Sequence, residues 1–165
     1  MEKLLISVVL FSSVLFGQSG VKPVDNALYL KECGSCHFAF QAGLLPERSW
    51  VKMMNNLENH FDTDATLDKG DYDTLVKYLK ANSSEKAMNY KRSRKMTNSI
   101  RYNETPLKIT EVTYFKDKHD EIPLRLITQK EVGTISNCMA CHTTADKGIY
   151  SERAIKIPNY GRWDD

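Results

Sequence analysis

The sequence predicts a mainly α fold with long irregular connections. Apolar residues recur at helical spacing in short stripes, no run gives a convincing strand signal, and the apolar interior is sparse for 165 residues. A chain of this length with ordinary globular composition forms one domain. Its formal net charge of +2 is too small to suggest a nucleic-acid binder.

Residues 4–16 are apolar apart from serines, follow Lys3 and precede Gly17, Gln18, Ser19 and Gly20. The run is shorter than the roughly 20 residues a spanning helix needs, and small residues suit cleavage after it. Residues 1–19 are therefore expected to be a signal peptide and 20–165 the exported domain. No cysteine ends the run to accept a lipid.

A helix around 26–31 leads into the first cysteine. Trp50, Met53, Met54 and Leu57 mark a second helix, with Ser49 as a possible cap and residues 61–66 as the loop that ends it. Tyr72, Leu75, Val76 and Leu79 mark a third, which Asn82, Ser83 and Ser84 end. A polar stretch runs to about Thr105. Ile109, Val112 and Phe115 then recur at helical spacing with Thr110 as a plausible N-cap, residues 124–127 could form a brief extended piece, and a last helix is expected around 136–142.

All four cysteines fall in two identical patterns, Cys33-Gly34-Ser35-Cys36-His37 and Cys138-Met139-Ala140-Cys141-His142. A disulfide between cysteines three apart constrains only a tiny loop and asks for no histidine next. Zinc could use two Cys-x-x-Cys knuckles, but would not need both trailing histidines beside four thiolates. Covalent haem accounts for every residue. Two thiols three apart reach the vinyl groups at one edge of a porphyrin, and the next imidazole lies under the iron. The sequence thus reads as a small c-type cytochrome built around two haems, with the porphyrins supplying the missing apolar interior.

Two haems need two further axial ligands, and beyond His37 and His142 the chain has His60 and His119. A lone histidine on an apolar helix face is more often core than ligand, but each of these lies at the end of an apolar stripe. His60 is 23 residues after His37 and His119 is 23 before His142, an opposite order that argues against tandem duplication. Local pairing, His37 with His60 and His119 with His142, is expected; spacing alone leaves crossed pairing open. Methionine is the rival ligand. Met53 and Met54 read as helix core, Met139 lies between attaching cysteines, and Met88 and Met96 sit in a basic stretch. Two histidines per iron would make both haems low-potential couples.

The run from Cys33 to Gln41, continuing through Gly43-Leu44-Leu45-Pro46 and Arg48-Ser49-Trp50 to His60-Phe61, resembles the small dihaem cytochromes c of bacteria, the DHC family. The likeness resumes at Ile109-Thr110, Lys118-His119 and the second motif with Ala145 and Gly148, and covers most of the chain beyond about residue 27. It implies two haem c groups attached at Cys33, Cys36, Cys138 and Cys141, with iron ligation by His37 and His60 and by His119 and His142. It also implies redox-protein partners, among them a small oxygen-binding monohaem cytochrome c and a membrane cytochrome b.

With every iron position filled, the expected role is periplasmic electron transfer, without catalysis, nucleic acid or a small-molecule substrate. The alternative is a haem enzyme or gas-binding protein with one open iron position. The domain divides into a first haem half at about 25–82, a basic linker at about 83–105 and a second haem half at about 106–165. Residues 86–101 hold Lys86, Lys91, Arg92, Arg94, Lys95 and Arg101 with no acidic residue. That stretch reads first as a solvated linker, some of whose charges could neutralise haem propionates, and alternatively as a partner-facing patch.

Overall fold

A computed structural model of the chain describes residues 20–163. The segment read as a signal peptide lies outside them. The described chain is mainly helical, as the stripes predict, with short helices joined by 3-10 turns and irregular segments.

Helix α1, Ala27–Glu32, starts at Asn26, whose side chain accepts the Tyr29 N–H at 2.9 Å. Its buried Tyr29 donates to the Phe40 carbonyl at 2.7 Å, tying the helix to the chain beyond the first cysteine motif. After a 3-10 turn at Ala42–Leu44, α2 spans Glu47–Met54. Ser49 lies inside this helix rather than capping it; the Glu85 carboxylate, 38 residues away, accepts the Glu47 N–H at 2.8 Å instead. The helix stops at Met54, so Leu57 belongs to a separate 3-10 turn, Leu57–Asn59, which leads to His60. Helix α3, Lys69–Ala81, begins at Asp68, whose carboxylate accepts the Asp71 N–H at 3.0 Å, and buries Leu75 and Leu79.

The stretch read as a linker contains helix α4, Lys91–Ser99, with Ser93 and Met96 buried. So polar a helix escapes recognition because its buried stripe is one serine and one methionine. A Cβ on Gly43 would lie 2.6 Å from Ser93 Oγ and 2.9 Å from Val21 Cγ1, so glycine lets the Ala42–Leu44 turn approach both α4 and the N-terminal segment.

The stripe before His119 is also broken. A 3-10 turn, Ile109–Glu111, is followed by extended Val112 and then α5, Thr113–Asp117, so Thr110 caps nothing. Residues 124–127 are helical, not extended: α6, Leu124–Ile127, opens with the Leu126 N–H donating to the Pro123 carbonyl at 2.8 Å. A four-residue apolar run does not distinguish helix from strand by periodicity. Helix α7, Cys138–Cys141, is one turn. Strands β1, Lys156–Ile157, and β2, Gly161–Arg162, pair antiparallel with Lys156 opposite Arg162.

The N-terminal segment joins the two ends of the molecule. Val21 donates to the Gly148 carbonyl at 2.9 Å, and Arg92 N–H to the Gly20 carbonyl at 3.0 Å. Gly148 has φ +70°, and a Cβ there would lie 2.1 Å from Val21 O, so glycine meets two demands at once. The core gathers Val21, Tyr29, Leu45, Trp50, Leu75 and Leu79 with Met96 and Val112, residues drawn from both sides of α4.

Candidate functional sites

The structure brings the eight sequence-predicted site residues together as two groups of four. In the first, α1 delivers Cys33 and a turn carries the chain to Cys36 and His37. His37 Nδ1 is 2.7 Å from the Phe38 carbonyl. His60 stands at the start of a tight turn: its N–H donates to Thr63 O at 2.8 Å and Thr63 N–H returns to His60 O at 3.1 Å. The central residues Phe61 and Asp62 have φ of 50° and 68°, the left-handed pair of a type I′ turn. Such a conformation is uncommon for a bulky residue like phenylalanine, and strain of this kind is held only where surrounding structure fixes it. The His37 and His60 rings lie 6.1 Å apart, inclined by 21°.

In the second group, α7 holds Cys138 and Cys141, and the His142 N–H donates to Cys138 O at 2.8 Å. His119 follows α5, with Nδ1 2.7 Å from the Phe115 carbonyl and its ring stacked on Phe115 at 3.9 Å. The His119 and His142 rings are again 6.1 Å apart, here crossed at 72°. They border a cleft of about 1170 Å³, open mouth included, lined by Leu44, Met96, Ile109, Leu126 and Ile127 among others.

These residues fit haem. An imidazole nitrogen sits about 2 Å from a metal it ligates, so two imidazoles on opposite sides of one ion place their ring centres roughly 6 Å apart. Donation of the Nδ1 proton to a carbonyl, available to His37 and His119, leaves Nε2 with a free lone pair. Burial and the neighbouring His37 lower the His60 pKa; burial, then His119 and Arg92, lower that of His142 to about 4. Neutral imidazole is the ligating form. Burial pushes the Cys33 and Cys138 thiols up to about 11 and raises Cys141, which suits sulfurs that end as uncharged thioethers better than metal thiolates. Among the described residues no group of three or more His, Cys, Asp or Glu is placed to hold a metal ion unaided, so the four cysteines do not converge as a zinc site requires.

The family model of dihaem cytochromes c matches residues 29–150. The chain belongs to the dihaem cytochrome c family. Two c-type haems are therefore its cofactors, and electron transfer by haem is its general function. Among solved structures, the dihaem cytochrome c of Shewanella baltica OS155 is 41% identical, with a TM-score of 0.69 over 84% of this chain and 98% of that one. A dihaem cytochrome c from Rhodobacter sphaeroides is 37% identical, with a TM-score of 0.70 over 79% of this chain and 100% of the other. No protein of curated function matches the chain.

Three further residues shape the cytochrome's sites. Gln41 is fully buried; its amide donates to Ala145 O and its carbonyl accepts the Tyr150 hydroxyl at 2.7 Å. The Tyr150 ring lies 5.4 Å from His142, while Phe40, the neighbour of Gln41, lies 5.3 Å from His37. This amide thus bridges the two groups of cysteines and histidines. A glutamine inside the run from Phe38 to Leu45 was the available signal, since a polar residue buried among apolar ones must have partners. The third is Arg92, which points from α4 into the second cleft beside Met96. Their spacing of four on a helix could have placed them on one face.

Proposed function

We propose that this cytochrome is an exported one-electron carrier whose two irons are each held between two histidines, His37 with His60 and His119 with His142. The observation that carries this reading is the pair of facing imidazole pairs, each at the separation that a shared metal ion demands. Haem bound there supplies reversible one-electron chemistry. Cys33 and Cys36, and Cys138 and Cys141, attach it through thioethers. The Phe38 and Phe115 carbonyls orient His37 and His119 and hold their Nδ1 protons, and the apolar wall of the second cleft excludes water. Two histidines on each iron would leave no place there for a substrate or gas to bind, and the protein would act by passing electrons between partners.

The family resemblance suggests a small monohaem cytochrome c and a membrane cytochrome b as those partners, and residues 1–19 direct the chain to the periplasm. No helix among the described residues is long and apolar enough to cross a membrane.

The test is optical. The purified protein should be low-spin in both redox states and unchanged by carbon monoxide. Replacing His60 or His119 by alanine should each turn one haem high-spin and able to bind carbon monoxide. A parent that binds carbon monoxide has an open iron position and is an enzyme or gas-binding protein instead.

A further inference from the structure

Arg92 lies on the inward side of α4 with its side chain only 16% exposed. It lines the second cleft, whose wall is otherwise largely apolar. One terminal nitrogen donates to the Tyr114 hydroxyl, and the other donates to the Tyr150 carbonyl at 3.0 Å and reaches Glu152 at 3.5 Å. Glu152 is 54% exposed and shared with Lys118 at 3.4 Å, so it is a weak, solvent-screened counter-charge. Arg92 Nε is buried and has no hydrogen-bond partner within the protein. Buried donors are nearly always satisfied, and a buried cation is costly without a close anion. Within the protein, Glu152 meets the second demand only weakly, and nothing meets the first for Nε.

A guanidinium edge is built for a carboxylate, which it binds through parallel N–H donors. Haem brings two carboxylates into its site as propionates. We propose that Arg92 Nε, supported by Tyr114, binds a propionate of the second haem and thereby raises that haem's reduction potential. The inference rests on His119 and His142 marking the second haem. Ferric haem carries one more positive charge than ferrous haem, so an uncompensated propionate favours the oxidised form, and the guanidinium cancels that bias. At the first site the cation set against the histidine turn is Lys108, over the exposed Phe61 ring at 5.3 Å. It faces solvent, where its field is screened.

Redox titration of the holoprotein and of Arg92→Met and Arg92→Lys tests this. In Arg92→Met the haem whose spectrum changes in His119→Ala should become harder to reduce by about tenfold in its equilibrium constant, which is 59 mV for one electron. The other midpoint should stay put, and Arg92→Lys, which keeps the charge but not Nε, should fall between. If Arg92→Met leaves both midpoints unmoved, or moves both alike, Arg92 is a packing residue and the proposal fails. Should Arg92→Met not mature, a crystal structure of the parent holoprotein decides. A propionate oxygen within about 3.2 Å of Arg92 Nε supports the pairing, and a propionate elsewhere overturns it. Carbon monoxide binding by the parent would count against the histidine assignment, a separate result from unmoved midpoints.

Discussion

The two groups of candidate haem-binding residues share one pentapeptide pattern and one imidazole separation, yet they are built differently around it. At the first, Cys36 and His37 are exposed, the facing ring belongs to a tight surface turn, and Phe61 beside it is 46% exposed. At the second, Cys138, Cys141 and His142 are half-buried, the rings cross, and the walls of a cleft come from α4, α5, α6 and β1. The motif fixes attachment and one ligand. Much of what distinguishes the two sites comes from residues far from it in sequence, among them His60, Arg92 and His119. The first site is therefore suited to exchange electrons at the surface, and the second to hold its haem in a medium where nearby charge acts strongly.

Loss of each haem should break this comparison most visibly. Without haem, the second site leaves an apolar cleft open to water, and a domain's net stability of about 5–15 kcal/mol leaves little margin for such a loss. Cys138→Ser with Cys141→Ser should abolish cooperative thermal unfolding followed by circular dichroism. Cys33→Ser with Cys36→Ser should lower the melting temperature while leaving a cooperative transition. Equal behaviour of the two variants would mean that the cleft is not the haem-dependent core.

The link between the sites comes next. Gln41→Leu keeps the volume but strands the Tyr150 hydroxyl and takes one of two donors from the Ala145 carbonyl, which keeps the Gly148 N–H at 2.9 Å. A stranded buried group costs about 1–3 kcal/mol, so denaturant unfolding should show a destabilisation of that order. Tyr150→Phe removes one hydroxyl and should cost about 1 kcal/mol. If Gln41→Leu is neutral, the amide does not join the halves.

What the sequence made legible follows from what the chemistry prescribes. Thioether attachment and axial ligation demand particular residues at particular spacings, so Cys33, Cys36, Cys138, Cys141 and the four histidines can be proposed as the site without a fold. Helix α3 was readable because Leu75 and Leu79 stripe it, and the helix expected around 26–31 is α1, which the structure shows capped by Asn26. Helix α4 was not, because a serine, a methionine and an inward arginine do not look like a core face. The turn after His60 was hidden for another reason: Phe61 and Asp62 adopt positive φ without the glycine that usually announces it. The break at Val112 is likewise tertiary, since an apolar residue at helical spacing is buried there in extended conformation.

The smallest expected effect concerns docking, and it sharpens the difference between the sites by asking which one meets a partner. Helix α4 turns Arg92, Ser93 and Met96 inward and leaves Lys91, Arg94 and Lys95 exposed, so the basic patch backs onto the second cleft. Electron-transfer encounters are small and transient, and complementary charge mainly raises the rate of association. Reversing Lys91, Arg94 and Lys95 to glutamate, with Arg92 left intact, should slow electron transfer to an acidic redox partner by roughly threefold at low salt. The haem spectra should not change, because none of the three side chains enters the cleft. The deficit should vanish as salt shortens the screening length towards about 8 Å at physiological ionic strength and below it at higher salt. Stopped-flow rates that match the parent at low ionic strength would free α4 from any docking role and leave the exposed edge around Cys36, His37 and Phe61 as the place where electrons enter and leave.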